Sequence, residues 1–174
     1  AMAKKNNNDD MIKYLSGMKD FMLNPKEYST TGNQEIDGVL NYMLQKANKT
    51  LNQVDVQINI PEDLYFNNFN ICVILGNLVD NAVREASKSK EKLLTIKMQI
   101  KQEVLLIFIE NSYSGKILEK RNGLQTTQPE LAIHGIGLEN VKKVVIANGG
   151  EIKIDYTSNR FCVQVLLYMS RIKN

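Results

Sequence analysis

Asn77 and Asn81 lie four residues apart within the segment 68–87. That spacing puts two amides one turn apart on a single helical arc. Asp80, Arg84 and Glu85 share the arc, and Val73 and Ile74 interrupt it one turn earlier. Ile71, Leu75, Leu78, Val79, Ala82 and Ala86 form the opposite, apolar arc. A face that merely met water would favour Lys, Glu and Gln. Asn and Asp each cost several tenths of a kcal/mol in a helix interior, and Gly76 adds about 1 kcal/mol. These unfavourable choices suit amides turned into a site, with a solvated polar face as the plainer alternative. An amide oxygen is a hard, neutral ligand of the kind magnesium accepts beside phosphate oxygens and water.

Two further patterns carry chemistry. The apolar run 104–109 ends in Glu110-Asn111-Ser112-Tyr113-Ser114-Gly115. An amide at the end of a buried strand can offer its oxygen to a donor such as an exocyclic amine, although a turn after a strand reads the same way. His134-Gly135-Ile136-Gly137-Leu138 opens another helical pattern. Two glycines before a helix let the backbone curl around an anion, and the free N–H groups and helix dipole favour phosphate. This is not a dinucleotide fingerprint, because the third glycine is missing and no strand precedes it. Gly115-Lys116 is not a Walker loop either, with Ile117 in the hydroxyl position and Glu110 in place of the first glycine. His134 is placed for a phosphate contact or a structural role. Followed by glycine and not by an acid, it is poorly suited to accept a phosphoryl group.

Several elements must position these residues. Met11, Tyr14, Leu15, Met18, Phe21 and Met22 recur at helical spacing before the break at Asn24-Pro25. Thr31-Gly32-Asn33 leads into a helix with the stripe Ile36, Val39, Leu40, Met43, Leu44 and Ala47. Val54, Val56, Ile58 and Ile60 alternate as a half-buried strand ending at Pro61. After the amide helix, strands at 94–100 and 104–109 pair as a hairpin turning at Gln102-Glu103. Residues 112–134 lack periodicity and suit a mobile lid. A helix over 138–147 stops at Asn148-Gly149-Gly150, and strands at 151–157 and 161–168 follow. The expected fold is a two-layer α/β sandwich: a mixed, mostly antiparallel five-stranded sheet with three helices on one face.

Composition removes other classes. The chain has 174 residues, 43% hydrophobic and 24% charged, with a net charge of +3. That is one ordinary globular domain with flanking material, and its charge gives no ground for nucleic acid. One histidine and two separated cysteines, Cys72 and Cys162, speak against a zinc centre and for buried reduced thiols. No run is long and apolar enough for a membrane span. Ala1-Met2-Ala3 reads as a cloning scar, so an excised piece of a longer protein is expected. Residues 1–30 are then scar, stem and linker, and residues 31–174 the functional domain.

The order of amide helix, strand-end Asn with downstream glycine, lid and Gly-x-Gly helix resembles the ATP-binding domain of the GHKL superfamily. That superfamily spans sensor histidine kinases, type II topoisomerases, heat-shock chaperones and mismatch-repair ATPases. Within it, Thr31-Gly32-Asn33, GNLVDNAV at 76–83, IENSYSG at 109–115 and HGIGLENV at 134–141 resemble the quorum-sensing kinases of the accessory-gene-regulator and VirS type. The likeness covers roughly residues 31–168. It implies a Bergerat-type fold and the cofactors ATP and Mg2+. Asn81 would coordinate the magnesium, Asn77 would line the same site, and Arg84 would stand near phosphate. Asn111 would take the place of the aspartate that reads the adenine amine, with Gly115 in the same box. Gly135, Ile136, Gly137 and Leu138 would supply backbone contacts to the phosphates, with His134 beside them.

The resemblance implies a protein-histidine kinase domain that donates the γ-phosphoryl group of Mg-ATP to a histidine on a dimerisation domain. That acceptor, a His followed by an acid, has no counterpart in this chain. The implied partners are the dimerisation domain of the same kinase and a response regulator. The implied setting is the cytoplasmic part of a membrane-anchored bacterial homodimer, this piece able to stand as a monomer. Asn111 keeps an acceptor but lacks the usual charge, and Tyr113 replaces a customary glycine. A non-catalytic nucleotide switch and a serine kinase of the anti-sigma type remain open alternatives.

Overall fold

The structure, a computed structural model, describes residues 28–114 and 136–168. The expectations for residues 1–27, for residues 115–134 of the lid segment 112–134, and for Gly115, His134 and Gly135 lie outside these residues. Within them the order is α1 (Gln34–Thr50), β1 (Gln53–Asn59), α2 (Asn68–Lys88), β2 (Leu93–Lys101), β3 (Val104–Ser112), α3 (Ile136–Ala147), β4 (Glu151–Tyr156) and β5 (Arg160–Tyr168).

The five strands form one sheet in the order β1-β2-β3-β5-β4. β1 and β2 are parallel, joined through α2, and the other neighbouring pairs are antiparallel. Alternation decides which face the helices cover. Leu94, Ile96 and Met98 on β2, Leu105, Ile107 and Ile109 on β3, and Val163, Val165 and Leu167 on β5 are all buried beneath the helices. The three-helix, one-sided sandwich read from the sequence is therefore the architecture found.

Local chemistry sets the ends of these elements. Asn33 caps α1, its side-chain oxygen accepting from the Ile36 N–H at 3.2 Å. Its amide nitrogen reaches the Glu62 carbonyl at 3.2 Å and Asn68 Oδ1 at 3.3 Å, tying the start of α1 to the start of α2. Gln102 and Glu103 turn the β2–β3 hairpin with positive φ at both positions, 50° and 64°. That geometry matches the strand twist even though neither residue is the usual Asn or Gly. At the end of α3, Gly149 (φ 65°) donates to the Ile146 carbonyl and Gly150 to the Val145 carbonyl, each at 2.9 Å, a Schellman closure. Gly150 also has no room for a side chain, because a Cβ there would meet the Leu166 carbonyl oxygen at 2.5 Å.

α2 packs against α1, α3 and the sheet, and this widens its buried arc. Ile74 is fully buried, so of the two residues expected to interrupt the polar arc only Val73 remains partly exposed. Val83 is buried as well.

Candidate functional site

The amide helix and the Gly-x-Gly helix meet. A Cβ placed on Gly137 would come within 3.1 Å of Asn77 Oδ1 and 3.2 Å of Asn81 Nδ2. The first turn of α3 thus lies on both asparagines, and glycine is what allows so close an approach. Asn77 donates its Nδ2 hydrogen to the Val73 carbonyl at 2.8 Å, one turn back on its own helix. This bond spends a donor and turns the amide oxygen toward Gly137.

Asn81 is held differently. Its Oδ1 accepts from Arg84 Nη2 at 2.6 Å. The same guanidinium lies 3.9 Å from Asp80 Oδ2 and 3.5 Å from Glu85 Oε1. Asp80 in turn accepts from Lys46 Nζ of α1 at 2.6 Å. The oxygen expected to meet a cation therefore already meets a cationic side chain. Arg84 is brought beside Asn81, and half of its side chain stays exposed.

From Asn81 a cleft runs between α2 and the sheet. Leu78, Ala82, Ile109, Leu138 and Val163 give it apolar walls, and Asn111, Glu85 and Phe161 stand along it. Asn111 is only 2% exposed. Its Nδ2 donates to the Ser112 carbonyl at 2.8 Å. A carbonyl can only accept, so the amide orientation is set, and the Asn111 oxygen is the atom left for a ligand. Leu138 contributes a buried side chain to the cleft. Ile136 begins α3.

Tyr113 is buried here, not in a glycine-like excursion. Its N–H donates to the Asn159 carbonyl at 2.8 Å, and its ring stands 6.0 Å from Phe161 at 49°. Burial first, then the charges of Glu85 and Tyr156, hold its phenol above its ordinary pKa. Below Asn111, Ser112 and Ser89 join through their hydroxyls at 2.6 Å, linking the end of α2 to the end of β3.

Phe161 and Ser89 have no place in the sequence reading, whereas Glu85 stands on its polar arc and Ser112 in its strand-end motif, neither with a role of its own. Phe161 had no local signal: it faces Asn111 only through the register of β3 with β5.

Asn77 Oδ1 and Asn81 Oδ1 are hard neutral oxygens of the kind a hydrated magnesium accepts, the first beside Gly137 and the second held by Arg84. Among the described residues there is no cluster of His, Cys, Asp and Glu fit for a transition metal. Nor is any helix there long and apolar enough to cross a membrane.

Known proteins agree with this geometry at the level of fold. The catalytic domain of histidine kinase ThkA superposes with a TM-score of 0.59 at 20% identity, over 80% of this chain and 94% of that one. Histidine kinase AdeS of Acinetobacter baumannii gives 0.60 at 15% identity, over 98% and 82%. The histidine kinase domain of the E. coli osmosensor EnvZ gives 0.51 at 14% identity, over 78% and 87%. No curated protein matches the chain. The GHKL domain family matches residues 66–168, which hold the amide helix, the cleft and the glycine turn. The chain belongs to the GHKL domain family.

Proposed function

We propose that this chain is the catalytic, ATP-binding domain of a sensor histidine kinase of the accessory-gene-regulator and VirS type. It holds Mg-ATP and presents the γ-phosphoryl group to a histidine on a helical dimerisation domain, from which a response regulator receives it. The observation that carries the reading is the packing of Gly137 on Asn77 and Asn81, which sets the start of α3 against the Asn77 oxygen and the Asn81 amide, whose own oxygen Arg84 holds. The GHKL family in general binds ATP with Mg2+.

Phosphoryl transfer asks a protein chiefly for positioning and charge neutralisation. Asn81 would hold the metal ion, which would offset the charge of the phosphates. Asn77 lines the same place, Arg84 supplies a cation, and the motif Gly135 to Leu138, with His134 before it in sequence, is assigned the phosphate contacts, while Gly115 belongs to the Asn111 box. Asn111 accepts from the adenine amine. No carboxylate stands at position 77 to activate water. Glu85 lies two turns further on, about 12 Å along the helix axis. The domain is therefore suited to hand phosphate to a partner and poorly suited to hydrolyse ATP by itself. The parent protein in this reading is a membrane-anchored homodimer.

Calorimetry with ATP and ADP, with and without Mg2+, tests the binding step, and labelled γ-phosphate tests the transfer. Mg-dependent nucleotide binding is expected, with no self-labelling and little turnover until a histidine-bearing domain is added in trans. Absence of both binding heat and thermal shift at millimolar nucleotide overturns the reading. Rapid turnover of the chain alone points to an autonomous ATPase.

A further inference from the structure

α2 serves as a ruler along the cleft. At its phosphate end Asn77 faces Gly137. At its other end Ser89, just past the helix, bonds to Ser112, the neighbour of Asn111. Asn81 and Glu85 fall between at one-turn intervals, each about 6 Å along the axis. A nucleotide with phosphates at Gly137 and its base at Asn111 passes Glu85 with its sugar.

Glu85 has the surroundings of a ligand-reading residue. It lines the cleft, and its side chain is 15% exposed, against 49% for the adjacent Arg84. Lys88 Nζ donates to its Oε1 at 2.8 Å, and Arg84 Nε lies 3.5 Å from the same oxygen. Both ion pairs thus use one carboxylate oxygen. The chemistry of the cleft narrows what Glu85 can read. Phosphate would repel a carboxylate, and the base amine is matched by Asn111. A pair of neighbouring hydroxyl donors matches two acceptor oxygens.

We propose that Glu85 is the sugar-reading residue of this site, its carboxylate accepting hydrogen bonds from the vicinal 2′- and 3′-hydroxyls of a ribonucleotide. The inference rests on the nucleotide reading given above. It also places a carboxylate in the cleft from the helix side, opposite the neutral Asn111 of the strand side.

The test is calorimetric binding of ADP, 2′-deoxy-ADP and inosine diphosphate to the wild-type chain, Glu85→Gln and Glu85→Ala, with thermal melts to verify folding. The wild type is expected to bind ADP about tenfold more tightly than 2′-deoxy-ADP, because the deoxy ligand cannot make one of the two hydroxyl–carboxylate hydrogen bonds. Glu85→Ala should bind the two equally, and the isosteric Glu85→Gln should keep part of the preference. The ratio of ADP to inosine diphosphate should be the same in all three. Equal wild-type affinity for ADP and 2′-deoxy-ADP overturns the assignment, as does an unchanged ratio in Glu85→Ala. A change in the inosine ratio would make Glu85 a base-reading residue and overturn it too. Failure of the wild type to bind any of the nucleotides removes the nucleotide reading itself, a distinct result.

Discussion

The two ends of the cleft are built on opposite principles. At the base end the partners are backbone groups or buried side chains. The Leu93 N–H donates to Ser112 Oγ at 2.8 Å, the Lys92 N–H to Ser89 Oγ at 3.1 Å, and Asn111 to the Ser112 carbonyl. Asn111 and Ser112 are almost fully buried. At the phosphate end, side chains hold one another at the surface. Lys46 and Asp80 pair with 52% and 40% of their side chains exposed, and Arg84 bridges Asp80 and Asn81. Buried, fully paired polar groups are stiff, whereas exposed ion pairs contribute only about 0–1 kcal/mol and exchange readily. Under the proposed function, a planar neutral base would meet a surface already in shape, and a charged phosphate with its metal would meet groups that can change partners.

Substitutions at each end can break that contrast. The largest effect is expected from Gly137→Val, which puts a branched side chain against Asn77 and Asn81 and fills the phosphate's place. ADP binding should vanish in calorimetry while the far-UV circular dichroism stays native. Wild-type affinity in this variant would remove the phosphate end from the site. Ser112→Ala strikes the base end through stability. It strands the Leu93 N–H, at a cost of roughly 2 kcal/mol, while the Ser89 hydroxyl keeps the Ala86 carbonyl and the Lys92 N–H. The melting temperature should fall by about 4–8 °C for a chain of this size, and a fall of under a degree would mean that the pair is not a structural joint.

A smaller loss is expected from Asn81→Ala. Its readout is the ratio of nucleotide affinities with and without Mg2+, which should shrink while the melt remains close to wild type. Unfolding with unchanged magnesium coupling would make Asn81 a structural residue. The smallest change is Gly76→Ala, on the same helix but facing Met43. A Cβ there meets only Met43 Cε, at 3.8 Å, so helix propensity should dominate and raise stability by about 1 kcal/mol. Denaturant titration reads it, and nucleotide affinity should not move. A loss of stability would show that the helix surface at Gly76 is more crowded than its geometry implies.

Periodicity carried most of the elements, and its misses have a common origin. β3 extends past the apolar run to Ser112 because Asn111 and Ser112 still pair with Phe161 and Arg160 of β5. An apolar count stops at Ile109 and cannot see a partner strand. Ile74 was assigned to the polar arc on the assumption of a single buried face. Contact of α2 with α1, α3 and the sheet buries a broader sector. Tyr113 reads as a misplaced glycine only until Phe161 and the Asn159 carbonyl supply its neighbours.

The sequence by itself determined the helical arc that carries Asn77 and Asn81, the strand ending at Asn111, and the glycine-led start of the last helix. All of these are local, because rises of 1.5 Å and about 3.3 Å per residue place near neighbours without reference to the rest of the chain. Tertiary structure alone decided that Gly137 rests on the two amides, that Arg84 holds the Asn81 oxygen, and that Glu85, Asn111 and Phe161 line one cleft. Those contacts depend on how α2, α3 and the central strands pack, and close packing between distant segments leaves no periodic trace in the residues that make it.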